Sequence, residues 1–195
     1  MPELTAADVS AFTNGRLAGD DAEVTRMLNA ALAAARRDVG WHVSPQVTGE
    51  TVVLDGPGGR TLQLPTRRLT ALTGVVEDGT TLDVSTLEWS ETGAVRKAAC
   101  RCWSHKYRAL EVTMSHGYTE DEAADFRQAI LMMVDQMSLL PVDESGRSAS
   151  DLTRKRVDDV EYQWSDGKYL ALAQNSLLSV QGILSYYRLD PVYFA

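Results

Sequence analysis

Apolar residues return every three or four positions in two stretches of the chain and every second position in the stretch between them. In the first helical stretch Val24, Met27, Leu28, Ala31, Ala35 and Val39 follow Asp20-Asp21-Ala22-Glu23, where Asp20 can cap and Glu23 stands three positions on, as in a capping box. This predicts an amphipathic helix over 20–40, stopped at Gly40. From 49 to 118 the period falls to two and turn residues recur. Thr51 to Leu54 and Thr61 to Leu64 flank Asp55-Gly56-Pro57-Gly58-Gly59, predicting a long-turned hairpin. Val75-Val76 and Leu82 to Val84 flank Glu77-Asp78-Gly79 as a second, and Leu87 to Trp89 and Val95 flank Glu91-Thr92-Gly93 as a third. Leu110 to His116 alternates most clearly, with Leu110, Val112 and Met114 on one side.

A second helix is predicted over 119–140. Thr119-Glu120-Asp121-Glu122 supplies a capping box with carboxylates at the positive helix end, Ala123, Phe126, Ile130, Met133, Val134, Met137 and Leu140 form the stripe, and Pro141 closes it. Asp143 to Ser148 then reads as a polar linker. A short strand is expected within Val157 to Trp164, and Leu177, Leu178, Val180, Ile183 and Leu184 suit a short helix before Tyr186-Tyr187-Arg188. The expected fold class is α+β: a small helical body of two main helices plus a C-terminal helix, an inserted antiparallel hairpin sheet, and an extended C-terminal arm. The body is assigned to 1–141 and the arm to 142–195. Residues before Asp20 show no recognisable feature.

With 195 residues, 44% hydrophobic and 24% charged, the chain has the composition of a globular protein able to bury a core, and its apolar runs are too short for a bilayer. Its start lacks a basic region and apolar stretch, so no secretory signal is expected and synthesis and assembly are placed in the cytoplasm. The net charge of −8 is uneven: −2 over 1–48, zero over 49–118, −4 over 119–141 and −2 over 142–195. Such a chain is poorly suited to gripping nucleic acid, which needs concentrated Lys and Arg.

Catalytic chemistry is not expected, nor is any cofactor. Cys100 and Cys102 have no second pair to complete a metal site, and His42, His105 and His116 lack metal or nucleophile spacing. The glycine run at 56–59 lacks the Lys-Ser/Thr of a phosphate loop and precedes a strand, not a helix. One basic cluster stands out, Arg96, Lys97, Arg101, Lys106 and Arg108, interleaved with Trp103 and Tyr107. That mixture can stack and neutralise single-stranded nucleic acid, or it can be a solvated or subunit-facing sheet edge, which the acidic whole favours. Glu120, Asp121, Glu122 and Asp125 form a complementary patch. A basic patch on one copy meeting an acidic patch on the next would be a heterologous contact able to close a ring.

Several local features occur together in a telling order: Asp-Asp-Ala-Glu-Val-x-x-Met-Leu-x-x-Ala at 20–31, Leu62-Gln63-Leu64-Pro65, then His116-Gly117-Tyr118 running into an acidic-capped helix. Val157-Asp158-Asp159-Val160-Glu161-Tyr162 and Leu184-Ser185-Tyr186-Tyr187-Arg188 complete it. Over roughly residues 18–190 this order resembles head-to-tail adaptor (connector) proteins of long-tailed bacteriophages, actinobacteriophage type. The resemblance implies a helical body with a variable β insertion, assembled as a generally twelvefold ring under the portal in the virion neck. Implied partners are other copies of the chain, the phage portal protein, the next neck, stopper or tail protein, and genomic DNA passing through the lumen without specific binding; no membrane is implied. Alternatives are a stopper or tail terminator, which tend to be mostly β, a nucleic-acid-binding module, or a hydrolase. Val157, Val160, Tyr162, Trp164, Leu184, Tyr186, Tyr187, Arg188, Tyr193 and Phe194 are expected to dock on the portal or a neighbouring subunit, the alternative being that the terminal helix packs on its own subunit.

Overall fold

A computed structural model describes residues 3–98, 101–139, 154–157, 160–163 and 179–189. It is an α+β fold with helices α1 (Ala6–Phe12) and α2 (Ala22–Val39), seven strands β1 (Val47–Leu54), β2 (Thr61–Gln63), β3 (Leu69–Glu77), β4 (Thr80–Leu82), β5 (Leu87–Trp89), β6 (Ala94–Lys97) and β7 (Leu110–His116), and helix α3 (Ala124–Leu139). A hairpin of β8 (Arg154–Val157) and β9 (Val160–Gln163) and a helix α4 over 179–187 follow. By contact density the chain divides into two units, one of Met1–Glu3, Arg36–Ala124 and Tyr187–Ala195, the other of Leu4–Ala35 and Asp125–Tyr186.

The first unit holds two antiparallel sheets, ordered β1-β7-β3-β4 and β2-β6-β5. They share one core, with Leu69, Leu72, Val75, Leu110, Val112 and Met114 from the first sheet and Leu62, Leu87 and Val95 from the second, closed by Leu64 and Trp103. Alternation along β7 is as the sequence predicts: Leu110, Val112 and Met114 are fully buried while Glu111 is exposed. Each such side chain contributes about 1.5–3 kcal/mol by leaving water.

Two of the three expected hairpins form. β3 and β4 join through Asp78-Gly79, both at positive φ (49° and 78°), the two-residue turn that suits the strand twist. β5 and β6 pair with Leu87 opposite Lys97 and Trp89 opposite Val95. The first expected hairpin is a correction. β1 pairs with β7, Val52 opposite Val112 and Leu54 opposite Leu110, whereas β2 pairs with β6 in the other sheet.

The glycine-rich segment between β1 and β2 lies against residues 103–106 instead. The Gly56 amide donates to the Lys106 carbonyl (2.9 Å), Gly58 to Ser104 (3.0 Å), and the Trp103 amide to Gly59 (2.8 Å). A Cβ on Gly56 would stand 2.1 Å from the Ser104 carbonyl oxygen, so the glycine is demanded by the approach of two backbones. Turn residues are shared by hairpins and by such crossings, which is why the sequence pattern misassigned this one.

Helix boundaries show smaller corrections. Asp21, not Asp20, caps α2, its Oδ1 accepting from the Glu23 amide (2.8 Å), while Glu23 pairs with Arg26 and does not close a capping box. The Thr119–Glu122 capping box does form, but around a turn, and α3 begins at Ala124. Its stripe of Phe126, Ala129, Ile130 and Val134 is buried. The featureless N-terminus contains α1, opened by a reciprocal capping box of Thr5 and Asp8. In the second unit, Arg16, just past α1, reaches Asp135 and the Ser138 hydroxyl (2.9 Å) on α3. The single strand expected near 157–164 is a hairpin, with Arg154 opposite Gln163 and Val157 opposite Val160.

The glycine crossing yields a paired test. Gly56→Ala is expected to destabilise the protein by about 2 kcal/mol or more, because a backbone must move, while Gly59→Ala, with open space around its Cβ, should stay within about 0.5 kcal/mol of wild type. Urea denaturation of the two variants checks this.

Candidate functional site

The basic cluster is not a strand edge. Its members divide between an internal clamp and an exposed knuckle formed by the loop between β6 and β7. Lys97, at the end of β6, has only 15% of its side chain exposed. Its Nζ contacts both carboxylate oxygens of Glu77 at 2.8 and 2.6 Å, donates to the Cys102 carbonyl (3.0 Å), and lies 4.5 Å from the centroid of Trp103. Glu77 also accepts from the Ser104 amide (2.8 Å). One carboxylate at the end of β3 thereby fixes the end of β6 and the following loop. Arg96 is exposed on β6 and donates to the Thr61 hydroxyl (3.0 Å).

Beyond the clamp the chain runs through Arg101, His105, Lys106, Tyr107 and Arg108, all exposed, with Tyr107 at 86%. The loop is pinned on two sides. On one, the glycine segment supplies the three backbone bonds already described, and Asp55 accepts from the Arg108 amide (2.7 Å). On the other, the Asp78 amide donates to the Ala109 carbonyl (2.8 Å) and Lys106 pairs with the Asp78 carboxylate (3.2 Å). Arg108 sits at φ 53°, uncommon for a residue with a Cβ, and these bonds hold it there. Hydrogen bonds from Lys106 and Ser104 keep the Asp78 carboxyl below its ordinary 3.8, aided by the charges of Lys106 and His105.

The acidic patch lies on the turn before α3. Glu120, Asp121 and Glu122 are exposed, and Asp125 follows on α3. Glu122 receives the Thr119 amide (2.9 Å) and hydroxyl (3.0 Å) and Arg68 Nη2 (3.0 Å), which hold its carboxyl below the ordinary 4.5. Arg68 spans to Glu91 as well (3.0 Å) and lies over the Tyr118 ring, 5.7 Å from its centroid.

Residues assigned to the C-terminal arm have varied placements. Tyr187 is buried, its carbonyl accepting from Trp41 Nε1 (2.7 Å) and its ring edge-on to Tyr118 at 5.6 Å. Arg188 pairs with Asp38 near the end of α2, its carbonyl accepts from Arg67 (2.9 Å), and the Leu189 amide donates to the Val39 carbonyl (2.9 Å). These contacts anchor 187–189 within the first unit. Leu184 is buried, and Tyr186 is 68% exposed. Val157 lies on β8 and Val160 and Tyr162 on β9, while Trp164, Tyr193 and Phe194 fall outside the described residues.

His116 is buried and contacts Glu50, with the His42 ring edge-on at 6.2 Å. Among the described residues no group of His, Cys, Asp or Glu is arranged to hold a metal, and no helix is long and apolar enough to cross a membrane. Sequence reasoning placed the cations but missed the Glu77 clamp, because a lone Glu at a strand end carries no signal of its partners. It also missed the pinning role of the Asp55 to Gly59 segment.

No protein-family model matches the chain, and no curated protein matches its sequence. Among solved structures, a chain in the neck of the native gene transfer agent (GTA) particle computed with C12 symmetry is similar at TM-score 0.58 and 15% identity, over 98% of this chain and 96% of that one. The neck of the empty GTA particle computed with C6 symmetry gives 0.58 and 14%, covering 97% and 91%. The virion of the native particle gives 0.57 and 16%, again covering 97% and 91%. The likeness is one of fold, and it spans nearly the whole of both chains.

The clamp and the pinning carboxylates generate two expectations. Glu77→Gln leaves a mostly buried ammonium without its counter-charge and should cost about 3 kcal/mol in chemical denaturation. Asp78 and Glu122, both titrating lower folded than unfolded, contribute stability that is complete above their ordinary values of 3.8 and 4.5 and is lost as pH falls through the depressed ones. Thermal unfolding between pH 6 and 2 should show the loss beginning near pH 4.5, and a smaller acid-side loss in Asp78→Asn.

Proposed function

We propose that the protein is a structural component of the neck of a tailed phage or phage-like particle, and within that neck the head-to-tail adaptor. The observation that carries this reading is the fold shared, over nearly the full length of both chains, with a chain in a particle neck computed with C12 symmetry. The order of elements in the sequence supports the same assignment: a capped helix, a β insertion, an acidic-capped helix and a terminal helix. On this reading the chain assembles as a closed ring on the underside of the portal, extends the DNA channel, and offers its far face to the next neck or tail protein. Its net charge of −8 suits a conduit that phosphates must traverse without adhering. Assembly takes place in the host cytoplasm, and the finished location is the virion neck between capsid and tail.

Deleting the gene from a particle-producing strain tests the role. DNA-filled or DNA-leaking heads with portal but without tails are expected, with free tails accumulating. Labelled protein at the tail tip, or normal tailed particles from the deletion, would overturn the assignment, and a block confined to completed tails would move the protein to a terminator position.

A further inference from the structure

We propose that the knuckle over residues 101–108 is the subunit-to-subunit contact of this protein, seated against the acidic turn at Glu120–Asp121 of a second copy. This rests on the ring reading above and names the surface that would close it.

Three observations point the same way. The knuckle is exposed yet held: Gly56 and Gly58 bond its backbone from one side, Glu77 and Asp78 from the other, and Arg108 is kept at φ 53°. A surface fixed before binding loses little freedom when a partner arrives. Its tip is also made of residue types that anchor interfaces. Tyr107 is 86% exposed and flanked by His105, Arg108 and, along the loop, Arg101. A tyrosine this exposed at the tip of a pinned loop contributes nothing to its own core.

Charge selects the occupant. Residues 101–108 carry Arg101, Lys106 and Arg108 and no carboxylate, so a chain of total charge −8 bears −11 elsewhere. Lys106 is paired at the base with Asp78, which leaves Arg101 and Arg108 as the outward cations. A second copy offers this surface an opposite field, most concentrated along the chain at Glu120, Asp121 and Glu122. Glu120 and Asp121 are exposed on this turn, next to Glu122, whose carboxylate meets Arg68 and Thr119. A DNA backbone offers the same sign of charge but would meet repulsion from the rest of the chain. Knuckle and turn are different patches, so the contact is heterologous and repeats head to tail, as a closed ring requires.

The test is a charge swap in the full-length protein, read by analytical ultracentrifugation and class averages in the electron microscope. Arg101→Glu with Arg108→Glu should raise the concentration needed for ring assembly by about tenfold or more while leaving thermal unfolding unchanged, since exposed charges add little to folding. Tyr107→Ala should weaken assembly likewise. Glu120→Arg with Asp121→Arg should fail alone and restore rings when mixed into the same chain as the double Glu variant. Rings that persist in the double Glu variant, or a swap that does not restore them, would overturn the proposal. So would fluorescence anisotropy in which wild type binds a short DNA duplex and the double Glu variant does not, with rings intact. Absence of rings in the wild type under all conditions would instead count against the neck reading itself.

Discussion

Glu77 lies at the end of a strand, mostly shielded from water, and its two oxygens serve three donors' worth of structure: the Lys97 ammonium twice over and the Ser104 amide. A shielded ion pair of this kind adds little net stability, because desolvating both charges offsets their attraction. Its effect is on geometry. An ammonium at the end of β6 can be shielded only where a carboxylate meets it, so the end of the second sheet is tied to the end of β3 in the first. The loop that leaves β6 must cross at that point, and Trp103 then closes the shared core with its Nε1 donating to the Val95 carbonyl (3.3 Å).

Other features follow from that crossing. The loop's backbone carries donors and acceptors that need partners once they leave water. The segment between β1 and β2 provides them, but only with a glycine at position 56, where two chains approach more closely than a Cβ allows. Its two ends are then free to belong to different sheets, β1 with β7 and β2 with β6. The same bonds leave the tip of the loop projecting with its aromatic and basic side chains in water. A core requirement and a presented surface thus share one set of contacts, which links the stability of the two sheets to the shape of the projecting loop.

The acidic balance of the chain acts over longer range. Carboxylates concentrated at the start of α3, next to a chain otherwise close to neutral through its strands, give the molecule opposed patches of charge. A field of this kind draws surfaces of unlike charge towards each patch and, being acidic in sum, repels polyanions at longer range.

Much of this was legible along the chain because it rests on local periodicity. The stripe from Val24 to Val39, the alternation from Leu110 to His116, the Asp78-Gly79 turn and the Thr119–Glu122 box are each set by spacing that one segment can satisfy alone. Asp20 and Asp21 both qualify as caps, and only the helix start decides between them. Thr5 and Asp8 spelled a capping box before α1 that the sequence reading passed over. Pairing was a different matter: Asp55 to Gly59 has the composition of a hairpin turn, but composition states only that the backbone bends or is closely approached. The partner was decided in three dimensions, by the carbonyls of Ser104 and Lys106. For the same reason the sequence could identify five cations in a row of thirteen residues without separating Lys97, drawn inward by Glu77, from Arg101 and Arg108, left in solvent. The terminal stripe of Leu177, Leu178, Val180, Ile183 and Leu184 marked a face in need of cover, with Tyr187 placed beyond it as a docking residue; that Tyr187 meets Trp41 and Tyr118, more than sixty residues away, only the tertiary fold determined, because burial sets what must be covered and long-range packing sets what covers it.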